Sequence, residues 1–162
     1  MLRVKVNKRE MRELLERLES LKEPIDKETA KEVGDAYISE MKDMISKGIS
    51  PIQGDGRFQR YKNPAKYPAN QKPKTPVNLY LTGEMMRALK YEIKRVKSGF
   101  APEVGYSTNE ASLKEKGHRE GAKGQPKRPT IPVVSKGEKP AARIQVLIKA
   151  LFSRRIKRLA KK

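Results

Sequence analysis

The sequence predicts an α+β fold: a small antiparallel sheet packed by helices, with an N-terminal helical hairpin, a long extended proline-rich arm and a C-terminal amphipathic helix. Three observations predict it. Near both ends of the 162-residue chain, apolar residues recur at three- and four-residue spacing, which gathers them on single helical faces. Between residues 91 and 106, two short runs with alternating character flank Ser98-Gly99, the pattern of a strand, a turn and a returning strand. Between the first helices and this hairpin lies a stretch too rich in proline for either element. With 36% hydrophobic and 35% charged residues, the core is modest for the length, and part of the surface is left to face a partner.

The first unit, residues 1–47, reads as a helical hairpin. Met11, Leu14, Leu15, Leu18 and Leu21 share one face, and Pro24 ends that helix. Asp26 has the position of an N-cap for a second helix, since its carboxylate can accept from the free amides of the first turn. Ile25 and Ala30 are spaced for a hydrophobic staple across that start. Val33, Tyr37, Met41, Met44 and Ile45 continue its apolar face, and Gly48 stops it.

Residues 48–78 read as the arm. They hold Pro51, Pro64, Pro68, Pro73 and Pro76, with Gly54 and Gly56. Loops this long inside compact domains usually carry function. Phe58, Tyr61 and Tyr67 interleave with Arg57, Arg60, Lys62 and Lys66. Such interleaving suits nucleic acid, where aromatics stack on bases and cations meet phosphates. It suits better aromatics that pin the arm to its own domain or to a neighbouring subunit, since an arm needs anchors in any case. Phe58, Tyr61 and Tyr67 are therefore the candidate intersubunit contacts.

Residues 79–162 form the α+β body, which with the preceding units makes one structural domain. Thr82 is placed to cap a short helix starting near Gly83, with Leu81, Met85, Met86 and Leu89 as its apolar face. Tyr91–Val96 and Glu103–Tyr106 are the paired strands. Residues 107–129 are polar and glycine-rich, and they read as loop. Ile131, Val133 and Val134 offer a third strand, confined to an edge by Pro132. From Ala141, a stripe of Ile144, Leu147, Ile148, Leu151, Phe152 and Leu159 marks the closing helix.

Charge divides the chain. Residues 1–47 carry 11 basic and 11 acidic residues, whereas residues 48–162 carry 27 basic and 8 acidic, so the whole excess of +19 lies after Lys47. Such a field attracts polyanions: nucleic acid, an anionic surface or an acidic protein face. Arg154, Arg155, Lys157, Arg158, Lys161 and Lys162 crowd the end of the last helix. Cations there favour the helix dipole, and they are the candidate contacts to DNA or an acidic partner.

Chemistry-bearing motifs are sparse. There is no cysteine and one histidine, His118, so disulfides and thiolate metal sites are excluded. His118 is a candidate base only for a small ribonuclease, with lysine and arginine stabilising the transition state. Gly54-Asp55-Gly56 lacks the spacing and the Lys-Ser/Thr pair of a phosphate loop. No apolar run approaches the roughly 20 residues that span a bilayer, and the first residues lack the apolar stretch of a secretory signal. The expectation is a protein without catalytic, metal or cofactor residues, used inside a cell.

The order of motifs resembles the tail-completion or neck proteins of tailed bacteriophages, the virion-morphogenesis family. Four stretches carry the likeness over about residues 48–160: Leu81-Thr82-Gly83-Glu84-Met85-Met86-Arg87-Ala88-Leu89, Glu103-Val104-Gly105-Tyr106, Gly117-His118-Arg119-Glu120-Gly121, and Lys127-Arg128-Pro129-Thr130-Ile131-Pro132. Gly56-Arg57-Phe58 and Tyr67-Pro68 resemble an arm seen in some members. Thr130 stands where an aromatic is usual, and the histidine segment lacks its usual aromatic. The resemblance implies a structural subunit of the head–tail connector, without catalysis and without a cofactor. It would form a homo-hexameric ring, or a dodecamer, in the neck between capsid and tail. Its partners would be other copies of itself, the connector or stopper, and the tail terminator or tube proteins, with double-stranded DNA passing through the lumen. It would assemble in the host cytoplasm and involve no membrane. The alternatives from the residues alone are a basic nucleic-acid-binding protein, ribosomal or nucleoid-like, and a small ribonuclease toxin.

Overall fold

The computed structural model describes residues 25–60, 77, 79, 83–96, 99–121 and 126–159. The first expected helix, the candidate contacts Tyr61, Tyr67, Lys161 and Lys162, and the expected cap Thr82 lie outside the described residues. The architecture is α+β, with helices packed around one small antiparallel sheet.

Helix α1 spans Lys27–Ser46. Asp26 caps it as expected, its Oδ1 accepting from the Thr29 amide at 2.7 Å. The helix ends in a Schellman arrangement: the Gly48 amide donates to the Ile45 carbonyl and the Ile49 amide to that of Met44, at 3.0 and 2.9 Å. Gly48 supplies the left-handed φ of 72° that this closure needs. Ala30, Val33, Met41, Met44 and Ile45 are buried along one face. Ile25 is held by backbone, its carbonyl accepting from the Phe100 amide at 2.8 Å.

The described part of the expected arm, residues 48–60, is not extended. It folds back on itself and into the body. The Ser50 amide donates to the Gly56 carbonyl, and the Phe58 amide to that of Gly48, both at 2.8 Å. A bridge joins Ile52 to Pro140, and the Ala141 amide donates to the Pro51 carbonyl at 2.8 Å. The cause lies in the side chains: Ile52 and Phe58 bury themselves, while Gly54 and Gly56 turn the chain at φ 95° and 65°.

Gly83, at φ 76°, begins the short helix α2, Glu84–Ala88, without a side-chain cap. Strands β1, Leu89–Val96, and β2, Gly99–Tyr106, pair in register from Leu89 opposite Tyr106 to Val96 opposite Gly99. Helix α1 crosses the sheet at Gly34, where an added Cβ would meet the Tyr91 ring at 2.6–2.8 Å. Among the described residues, two clusters make the core. Met41, Met44, Leu89 and Ile144 form one, and Ile45, Phe58, Val77, Leu79, Met85 and Met86 the other; Tyr106 packs on both.

Two expectations after residue 106 are corrected. The stretch read as polar loop contains helix α3, Asn109–Glu120, capped by Thr108 and closed by Gly121 at φ 71°. Among the described residues there is no third strand; Val134–Lys136 is a 3₁₀ turn. The backbone before it is committed to side chains instead. Thr130 N–H donates to Glu115, Ile131 C=O accepts from Arg119, and Val133 N–H donates to Glu138 at 2.8 Å. Pro132 has no amide to offer a ladder. Helix α4, Ala142–Leu159, closes the chain with Ile144 fully buried.

Candidate functional site

Helix α3 is polar, yet it presents Ala111 and Glu115 to the interior, one turn apart. A buried carboxylate needs partners, and Glu115 has several. The Thr130 amide donates to both its oxygens at 3.2 Å, and the Thr130 hydroxyl also donates to it. Arg119, one turn along the same helix, donates to Oε1 at 3.0 Å. Burial pushes the Glu115 carboxyl above its ordinary pKa, against the pull of Thr130 and Arg119. Burial likewise pushes the Tyr106 phenol up; its hydroxyl lies 2.7 Å from Thr130 Oγ1.

Arg119 joins three segments. Besides Glu115 on α3 and the Ile131 carbonyl, it reaches both oxygens of Glu138 at 2.7 and 2.9 Å. Burial opposes the charge on Glu138, but the Val133 amide and the Arg119 guanidinium hold its carboxyl below the usual range.

Arg128, 1% exposed, makes the next link. Its guanidinium donates to the Gln59 carbonyl at 3.0 and 2.9 Å and to that of Arg60 at 3.1 Å. Its own amide donates to the His118 carbonyl at 2.7 Å. Gly117–Gly121 and Lys127–Pro132, distinct motifs in the sequence, therefore meet in one polar joint with the 57–60 loop. The joint borders an open groove of about 700 Å³ between residues 52–59 and 127–139.

The sequence candidates fall in different places. Phe58 is 8% exposed and sits in the chain's own core. Arg154, Lys157 and Arg158 are exposed on α4, and their three- and four-residue spacing puts them on one side. Arg155 faces the other way: it pairs with Asp26 at 2.6 Å and donates to the Thr29 hydroxyl. The Thr29 amide and hydroxyl, with Arg155 beside them, bring Asp26 down to a pKa of about 2. His118 lies in the last turn of α3 rather than in a loop.

Sequence reasoning missed Glu115, Thr130 and Glu138. The available signals were the caps Thr108 and Gly121 around a 12-residue segment, and Glu115 and Arg119 at i,i+4 within it. Among the described residues, no group of three or more His, Cys, Asp or Glu side chains is placed to hold a metal ion, and no helix is long and apolar enough to cross a membrane. No family model matches the chain, and neither a curated protein nor a solved structure does so.

Proposed function

We propose that the protein is a structural, non-catalytic subunit of a phage head–tail connector, a ring that joins the portal-side connector to the tail around the DNA channel. One observation carries this reading: the segments on which the resemblance rests act as structural joints. Gly83 starts α2 in a left-handed conformation. Gly105 stands opposite Lys90 in the sheet. The Gly117–Gly121 and Lys127–Pro132 segments lock together through Glu115, Arg119, Thr130 and Arg128. Both Glu115 oxygens are taken up by protein donors, which suits a group that supports a surface rather than one that moves a substrate proton. The cationic face of α4 is the candidate contact to DNA or to an acidic neighbour.

A ring built from identical head-to-tail contacts closes at a fixed copy number. Native mass spectrometry and negative-stain imaging of the purified chain, alone and mixed with connector and tail particles, test the proposal. The expected result is a closed ring of six or twelve copies, formed alone or on those particles. A protein that stays monomeric and adds to neither particle overturns it.

A further inference from the structure

We propose that the groove between residues 52–59 and 127–139 is a binding site for the phosphodiester backbone of nucleic acid. This site is distinct from the basic face of α4, and the inference stands on the groove alone, with or without a ring.

The groove is fixed at both ends. On one side Arg128 clips the 57–60 loop to the 126–130 segment through the Gln59 and Arg60 carbonyls. On the other, Ile52 bridges Pro140 and the Gln53 amide donates to the Lys139 carbonyl at 2.9 Å. Two segments about 75 residues apart in sequence are thereby held as facing walls.

The walls are cationic. Arg57, Lys127, Lys136 and Lys139 line the groove and are exposed. Among the described residues, two carboxylates share it. Glu138 is committed to Arg119 and the Val133 amide, and Asp55 accepts from the Ser50 hydroxyl at 3.2 Å. The surplus is positive, inside a concave wall that concentrates the field.

The lining also selects the ligand class. Stable protein contacts draw most of their energy from a few side chains seated in well-packed pockets at the centre of the interface. The floor residues Ile52 and Phe58 are only 5% and 8% exposed, so they offer no such pocket. Among the described residues Phe58 is the one aromatic side chain in the lining, and its burial withholds its ring face from base stacking. What remains is a row of ammonium and guanidinium groups with the Gln53 and Gln59 amides. That set meets phosphates and sugars, which position a nucleic acid without reading its sequence.

The test is duplex-DNA binding by fluorescence anisotropy, titrated across about 50–200 mM salt, where each neutralised phosphate contributes about 0.9 to the slope of log K against log salt. Two variants with equal net charge are compared. One carries Arg57→Ala, Lys127→Ala, Lys136→Ala and Lys139→Ala. The other carries Lys31→Ala, Lys90→Ala, Arg95→Ala and Lys116→Ala, all exposed and outside the groove. The expected result is a slope shallower by about 2–4 for the groove variant, counting about 0.9 per lost contact, with the control near the native slope. Both should melt as the native protein does. Equal losses in the two variants would assign the binding to net charge and overturn the site. So would absence of DNA binding by the native chain, or displacement of the DNA by poly-glutamate as effectively as by unlabelled duplex.

Discussion

Replacing Arg119 with alanine tests the polar joint most directly. The substitution removes the partner of Glu115 and Glu138 together and leaves the Ile131 carbonyl without its donor. Glu115 is 8% exposed, so its charge stays in the interior with only the Thr130 donors. Breaking a buried pair from one side costs about 3–5 kcal/mol. For a chain of this size, about 2–4 °C of melting temperature follows each kcal/mol, giving a fall of about 6–20 °C. The pH dependence identifies the cause. The folded pKa of Glu115 is already raised by burial, and losing a neighbouring cation raises it further. The native state then binds a proton that the unfolded chain does not, so stability falls as pH rises between the ordinary carboxylate value and the raised one. Glu138 acts in the same direction. Its folded pKa is lowered, a stabilisation present above the ordinary value that the variant largely forfeits. The gap between native and variant protein is therefore widest near neutrality and narrows in acid. Urea unfolding followed by circular dichroism from about pH 3 to 8, which spans the ordinary and the shifted carboxylate values, measures it. Adding Glu115→Gln to the variant should recover part of the loss, because the amide carries no charge to strand. A loss below about 1 kcal/mol, the size of an exposed pair, or a gap that does not change with pH, would refute the argument.

Gly34→Ala should destabilise the protein by about 1–2 kcal/mol, since overpacking costs about 1–3 kcal/mol and outweighs the better helix propensity. The Tyr91 ring it would strike is pinned, its hydroxyl donating to Asp35 at 2.6 Å and lying 3.3 Å from the Lys31 carbonyl. In a Tyr91→Ala background the same change should instead stabilise by about 1 kcal/mol, as glycine-to-alanine does in a helix interior. A rise in melting temperature from Gly34→Ala alone would show that the ring yields. Asp26→Ala should cost about 1 kcal/mol at neutral pH, the usual worth of an N-cap. Asp26 titrates at about 2 when folded against 3.8 ordinarily, so its contribution is present above 3.8 and lost as pH falls through about 2. The variant's acid-unfolding curve should lose that component, and a curve parallel to the native one would contradict the assignment.

What was legible in the sequence shares one property: it was written in neighbouring residues. Asp26 and Gly48 bracket an apolar stripe at helical spacing, and both cap α1. The alternating runs on either side of residues 97–98 are the two paired strands, although the second begins at Gly99 rather than at Glu103. Ile144 heads the stripe of α4. Helix α3 lacked that signal because its inward face consists of an alanine and a glutamate. A buried glutamate looks like a surface residue until Thr130 and Arg119 are brought to it. The 48–60 segment was obscured in the opposite way. Its proline and glycines announced an irregular path, but only the contacts of Ile52 with residue 140 and of Phe58 with the Met85–Met86 cluster decide whether that path leaves the body or returns to it.

The same distinction governs the candidate contact residues. Counting cations put Arg155 with Arg154, Lys157 and Arg158, yet Arg155 is half-buried and paired with Asp26 at the start of α1 while the other three stay exposed. Removing Arg155 should therefore weaken the start of α1, whereas removing Arg154, Lys157 or Arg158 should leave stability within about 0.5 kcal/mol and change only what the surface binds. The groove makes the converse point. Arg57 and Lys127 share no sequence motif, and the Arg128 clip and the Ile52–Pro140 bridge between their segments turn separate surface charges into a concave positive wall. The +19 excess states how strongly this chain draws polyanions. Which cations meet them depends on the guanidinium groups of Arg119 and Arg128, which hold the surface in shape through bonds to carboxylates and backbone carbonyls.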